Sequence, residues 1–287
     1  MSPSVQLLLE KNWCHLVVIG KPYRSYIAIG DSLSEGLGDF NFHVDRRNKG
    51  WTDRLANIMA QEAADSGYEF HYANLALRGT RLKTIMGQQL HAALRLQPDL
   101  VTVMAGSNDL LGKASLDEQA DVFRTGLMEL LAAGCDVVVA NTLNPAHLRL
   151  FRPLKASSLQ FSQMIQEVAS DLEIPILDVF GIQSFEDLIF WAEDMVHFSG
   201  HGHIKVANQA AGLLDLKYRY PEIDASELLR TTRSALETLA WVKRDVLPFF
   251  GRKLRGVTSG DGMDPKHLQL EQFRAITDDP WWQLKPA

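Results

Sequence analysis

Apolar residues along this chain fall into short unbroken runs separated by longer stretches in which they recur every three or four positions. SYIAIG (25–30), YEFHYANLA (68–76), DLVTVMAG (99–106), CDVVVANT (135–142) and IPILDV (174–179) have the length and apolar density of buried strands. Segments 50–64, 81–95, 116–133 and 155–171, lying between them, carry helical spacing. Regular alternation of strand and helix predicts a parallel sheet covered by helices on both faces. In such sheets ligands bind outside the carboxyl ends of the strands. Ser32, Asn74, Asn108 and Asn141 all fall at or just past those ends, so the spacing predicts that they crowd one edge of the sheet.

Beyond about residue 204 the pattern turns helical, from Ile204 to Leu216 and again from about Ser226 to Phe250. The second of these has apolar residues at 228, 229, 235, 236, 239, 240, 242 and 246, the stripe of an amphipathic helix, closed by Pro248 and Gly251. Its end is basic, with Lys243, Arg244, Arg252, Lys253 and Arg255. Packing against the rest of the molecule is the favoured reading of that face, with weak association to an anionic membrane surface as the other. Residues 256–287 read as a polar, irregular tail ending in Trp281 and Trp282. With no linker and no internal repeat, the expected organisation is an N-terminal segment (1–24), an α/β domain (25–220) and a C-terminal helix and tail packed on it (221–287).

At 287 residues the chain can bury a large core, and 46% apolar with 22% charged residues is the make-up of an ordinary soluble domain. Lys plus Arg number 29 against 35 for Asp plus Glu, a net charge of −6, which argues against a general nucleic-acid binder. The two cysteines, Cys14 and Cys135, imply no disulfide framework; Cys135 opens an apolar run and reads as a core residue. The first residues lack the basic start of a secretory signal and are interrupted by Glu10 and Lys11, and no run is long enough to span a bilayer. A cytoplasmic location is the expectation.

Four stretches carry possible chemistry: Gly30-Asp31-Ser32-Leu33, NLALRG at 74–79, Gly106-Ser107-Asn108-Asp109, and Asp194-Met195-Val196-His197. Ester cleavage by a serine needs a nucleophile, an adjacent base, a group that orients the base, and donors aimed at the developing oxyanion. Ser32 sits on a strand-to-helix turn and supplies the first. His197 supplies the base, and Asp194, three residues earlier, can fix its tautomer, which favours His197 over His201. The N–H groups of Ser32 and Gly79 and the side-chain amide of Asn108 are candidate oxyanion donors. Arg78, beside that glycine, and Asn141 are candidates for binding substrate. Taken singly, each stretch has an ordinary explanation as a turn or a helix cap.

In order and spacing the four stretches resemble the motif blocks of the SGNH (GDSL) hydrolases over roughly residues 25–215. Ser32 matches the serine block, Gly79 the glycine block, Asn108 the asparagine block, and Asp194 with His197 the Asp-x-x-His block. GDSLSEGLGD, NLALRG and the helical tail look most like an uncharacterised actinobacterial branch. The resemblance implies a flavodoxin-like three-layer α/β/α sandwich, with a central parallel sheet of about five strands and a C-terminal helical extension. It further implies a small-molecule or lipid-like acyl-ester substrate, an esterase or lipase activity, and no metal and no cofactor.

Two other readings compete. Asp31, Asn108, Asp109, His197, His201 and His203 include ligand types for a metal-dependent phosphoesterase, and Gly200-His201-Gly202-His203 imitates the end of such a motif. The opening Asp-x-His of that pattern is missing, and the histidine its central stretch requires is absent from Gly106-Ser107-Asn108-Asp109. His201 and His203 are otherwise expected in a solvated or capping role. A non-catalytic binding module on the same fold is the other competitor. Nucleotide binding lacks its fingerprint, since Asn41 stands where Gly36-x-Gly38 would need a third glycine.

Overall fold

The computed structural model describes residues 21–39, 49–110, 112, 114–147, 149–223, 239–240, 243–244, 260–277 and 282–287. Strand β1 (Ser25–Gly30) leads into a one-turn helix α1 (Ser32–Glu35), and then come α2 (Trp51–Asp65) and β2 (His71–Asn74). Helix α3 (Leu82–Thr84), a π turn (Ile85–Gln89) and α4 (Leu90–Leu96) lead to β3 (Leu100–Met104). Next are α5 (Leu116–Ala132), β4 (Asp136–Ala140), α6 (Lys155–Asp171), β5 (Ile176–Leu177) and α7 (Gly200–Leu213). Short strands β6 (Tyr218–Arg219) and β8 (Lys285–Pro286) pair with each other, and β7 (His267–Gln272) joins the main sheet.

The main sheet runs β5-β4-β3-β1-β2-β7, with every pair parallel except β2 and β7. The chain leaves β1 for β2 on one side and returns to place β3 on the other. That reversal makes the carboxyl ends of β1 and β3 the switch point at which α/β folds bind ligands.

Alternation along the strands sorts side chains onto two faces. Tyr26, Ala28, Leu100, Met104, Val138 and Ala140 face one core with Leu55, Ile58 and Met59 of α2 and Val206, Ala207 and Ala210 of α7. Ile27, Ile29, Val101, Val103, Val137 and Val139 face the other, with Ile85, Leu90, Phe123, Leu127, Phe161 and Ile165. Burial of each Val, Leu, Ile, Phe or Met side chain among these contributes about 1.5–3 kcal/mol, so the two cores hold the three layers together. Cys135 lies in the second core as a buried free thiol.

Several expectations are revised. The second and fifth strands are shorter than their apolar runs, at His71–Asn74 and Ile176–Leu177, because the flanking residues turn into loops. The predicted helix over 81–95 is interrupted by the π turn at Ile85–Gln89. The final helix of the sandwich starts earlier, at Gly200, where the Ser199 hydroxyl accepts from Gly202 N. The amphipathic helix expected from Ser226 to Phe250 lies almost wholly outside the described residues. The tail is not irregular throughout: its residues 267–272 form β7, which lengthens the expected five-stranded parallel sheet by an antiparallel sixth strand on the β2 edge. Phe273 N donates to Phe70 O (2.8 Å), and the Phe273 ring meets Tyr72 edge-on at 5.5 Å.

Trp282, 2% exposed, packs against Tyr220 (6.2 Å between ring centroids) and beneath the cations of Lys49 and Arg54. Truncating so large a buried ring removes about 3–5 kcal/mol. Trp282→Ala is therefore expected to shift the urea midpoint down by an amount equivalent to that loss while leaving far-ultraviolet circular dichroism unchanged before the transition. A shift within error of zero would mean that the tail's end is not integral to the fold.

Candidate active site

The nucleophile turn is built by crowding at Gly30. A Cβ on Gly30 would lie 2.6 Å from Met104 O and 2.5 Å from Ser34 Oγ, so only glycine fits. The Gln89 side chain holds both backbone groups of Gly30, accepting from its N–H (2.7 Å) and donating to its carbonyl (3.0 Å). Asp31 then caps α1, its Oδ1 accepting from Leu33 N at 3.0 Å. Ser32 is the first residue of that helix and half-buried; its N–H is one of those a helix start leaves without an intrahelical partner.

Two further loops close on this turn. After β2, Leu77 N donates to Gly30 O (3.2 Å) and Thr80 N to Leu77 O (3.3 Å), which makes a tight turn with Gly79 at φ +78°. That left-handed conformation suits glycine. After β3, the Asn108 amide Nδ2 donates to Thr80 O (3.0 Å) and, at a longer 3.3 Å, to Asp31 Oδ2. Asn108 thus ties the glycine turn to the serine turn. Asp109 has a helix-capping role, with Oδ2 accepting from Leu82 N at 2.9 Å.

The fourth stretch is a loop between Trp191 and Phe198, which form an antiparallel bridge. Asp194 Oδ1 accepts from the backbone N–H groups of Val196 and His197, each at 3.0 Å, and Oδ2 lies 2.5 Å from His197 Nδ1. An ionised carboxylate only accepts, so Nδ1 carries the proton and Nε2 is left as the acceptor nitrogen. Burial works to raise the Asp194 pKa, but the His197 hydrogen bond and charge and the two backbone donors outweigh it and hold the pKa near about 2. The loop abuts the residues after α1: a Cβ on Gly38 would come 2.3 Å from Phe198 O and 3.1 Å from His197 Cβ. The Asp31 carboxylate lies within electrostatic reach of His197, while its own burial raises its pKa to about 6.

Other residues singled out in the sequence take structural posts. Asn141 is fully buried, donating to Asp178 Oδ1 (2.6 Å) and accepting from Phe180 N (2.9 Å), so its amide secures the β4 exit and is not presented to a substrate. Asn74 is likewise buried, bonding Ser34 O, Thr52 and Tyr72 and accepting from Ala76 N. The Arg78 guanidinium is engaged by Glu35, Nε lying 2.9 Å from Oε1, which gives it an internal ion-pair partner. His203 is neither solvated nor a cap of its own helix. It is fully buried, Nδ1 accepting from Trp51 N (3.1 Å) and Nε2 donating to Leu37 O (3.0 Å), and so it caps α2 from across the core. With both ring nitrogens committed to backbone, it has no lone pair for a metal. Among the described residues, no three His, Cys, Asp or Glu side chains stand together as a metal site. Gln89, which shapes the site, had no motif to mark it, and Glu35, though inside GDSLSEGLGD, had nothing to show its partner.

Burial pulls the His203 pKa from 6.5 down to about 4, while Asp31 is raised from 3.8 to about 6. Between pH 6.5 and 4 the unfolded state takes up the His203 proton first, so acidification costs stability; between pH 6 and 3.8 the folded state takes up the Asp31 proton first, so acidification adds it. Each is worth on the order of 3 kcal/mol, and the two offset one another. Urea unfolding at pH 4, 5, 6 and 7 is expected to show a steeper acid loss in Asp31→Asn and a flatter one in His203→Gln. Equal slopes in all three proteins would contradict these assignments.

A family model described as the GDSL-like lipase/acylhydrolase family matches residues 28–204. No curated protein matches the chain. Among solved structures, an acetylxylan esterase from Geobacillus stearothermophilus superposes with a TM-score of 0.57 at 16% identity, covering 69% of this chain and 97% of that one. A mutant described as an acetyl-xylooligosaccharide esterase from the same organism gives 0.57 at 16%, covering 71% and 99%. LAE5, an alpha/beta hydrolase enzyme from the metagenome of Lake Arreo, Spain, gives 0.56 at 16%, covering 67% and 95%. The superpositions establish a shared fold, and the family match, spanning all four motif stretches, places this chain among the GDSL-like lipases and acylhydrolases, a family of ester hydrolases.

Proposed function

We propose that the protein cleaves carboxylic esters through an acyl-enzyme, with Ser32 as nucleophile, His197 as base and Asp194 as the group that orients it. The observation that carries this reading is the 2.5 Å contact between Asp194 and His197 Nδ1, which leaves Nε2 ready to receive a proton. The loop bearing it packs against the residues that follow the serine turn.

In the first half-reaction Ser32 Oγ attacks the ester carbonyl as its proton passes to His197 Nε2. The oxyanion is received by the N–H groups of Ser32 and Gly79 and by Asn108 Nδ2, whose longer bond to Asp31 gives way while the shorter one to Thr80 O keeps the amide in place. Collapse breaks the bond to the alcohol oxygen, which takes the proton from His197 and leaves as the alcohol. Water then repeats the sequence on the acyl-serine, giving the acid and free Ser32. The acetylated saccharides named for the structural relatives are one class of substrate to test, alongside lipid-like and small aryl esters. A location in the cytoplasm remains part of this proposal; no described helix is long and apolar enough to cross a membrane.

A fluorophosphonate probe tests the reading. Labelling of the wild type, insensitive to chelator and abolished in Ser32→Ala, is the expected result. Asp194→Asn is expected to lower kcat for p-nitrophenyl acetate by about 10²–10⁴-fold, since the wrong histidine tautomer is then favoured. Labelling that survives in Ser32→Ala would remove Ser32 from the mechanism. Absence of both labelling and turnover in the wild type would favour a binding protein.

A further inference from the structure

Two backbone segments carry the N–H donors and the nucleophile assigned above: α1 with Ser32, and the turn after β2 with Gly79. Residues of the C-terminal segment, beyond the 28–204 family match, hold both. Lys266 directly precedes β7, and its side chain is only 9% exposed. Its Nζ donates to Glu35 O at 2.6 Å and to the Asp53 carboxylate. Glu35 is the last residue of α1, where a carbonyl has no intrahelical donor. The Glu35 carboxylate in turn accepts from Arg78 N (2.7 Å) and from the Arg78 guanidinium, fixing the residue before Gly79. Asp53 is held from its other sides by Gly50 N (2.7 Å) and Tyr72 OH (3.0 Å). A second contact reaches the same turn: a Cβ on Gly260 would lie 2.4 Å from Arg78 O and 3.0 Å from Leu77 Cγ.

We infer that Lys266 is a positioning residue for ester hydrolysis, its ammonium setting the place of α1 and, through Glu35, of the Gly79 turn. Burying an ammonium costs several kcal/mol even when it is paired, a cost that an apolar side chain of similar length would not incur. Stability alone therefore does not account for a lysine here, whereas a fixed charge on the carbonyl end of the nucleophile's helix does something no apolar residue can. Displacement of reacting groups by an ångström costs on the order of a hundredfold in rate. The inference rests on Ser32 being the nucleophile.

The test compares Lys266→Met, Lys266→Arg and Trp282→Ala with the wild type, below the unfolding transition of each, by p-nitrophenyl acetate kinetics and by the rate of fluorophosphonate labelling. Lys266→Met is expected to lower kcat and the labelling rate together, on the order of 10–100-fold, with KM changed by less than about twofold. Lys266→Arg is expected to recover part of both, and Trp282→Ala, though destabilised, to keep wild-type kcat. Should Lys266→Met not fold, Lys266→Gln, which removes the charge but keeps a polar side chain, is expected to slow labelling in the same way. Wild-type kcat in folded Lys266→Met, or an equal loss in Trp282→Ala, would overturn the inference while Ser32-dependent labelling of the wild type stands. With Lys266→Met unfolded, wild-type labelling in folded Lys266→Gln would overturn it too. A wild type that does not label would overturn the underlying reading and this inference with it.

Discussion

Everything at the site depends on how little room there is at the end of β1. Gly30 is pressed against Met104 O on the neighbouring strand, and both of its backbone groups are taken by one glutamine amide. A strand edge so tightly held can turn in only one way, and Asp31 receives the chain by capping the helix that follows. The loops after β2 and β3 then take their places relative to that turn through Leu77, Thr80 and Asn108. The site is thus assembled from backbone geometry first, and its side chains are placed as a result.

The balance of charge around the site and in the core behind it has a physical logic. Asp194 is kept ionised by donors on two sides, Asp31 is buried where ionisation is costly, and His203 is held neutral in the core. The two carboxyl groups that feel His197 therefore have environments that drive their pKa values in opposite directions. The one bonded to the ring keeps its charge, and the buried one resists it.

The strands, most helices and the order of the four motif stretches were legible because they depend on local spacing: short unbroken apolar runs for β1 and β3, and a three-to-four repeat for α5 and α6. Asp194 and His197 were legible for the same reason, since three residues suffice to close their hydrogen bond. Longer-range relations were not. His203 looked like an exposed residue near a helix start, and only the packing of α7 on α2 turns it into a buried cap for Trp51. Arg78 and Asn141 looked available for substrate because no sequence signal shows Glu35 or Asp178 arriving beside them. Strand β7 has too few apolar residues to stand out. It owes its form to the open edge of β2, a property of the assembled sheet and not of HLQLEQ itself.

That last strand has a consequence for how the molecule is made. Strands β1 to β5 and their helices can associate as soon as they leave the ribosome, but the outer edge of β2 gains its partner only once residues 267–272 have been synthesised. Until then a strand with unpaired N–H and C=O groups faces the surroundings, the kind of edge that recruits other chains. The nascent protein therefore passes through a stage in which the β2 edge of its main sheet still awaits β7. Completion of the sheet and closure of that edge are the same late event.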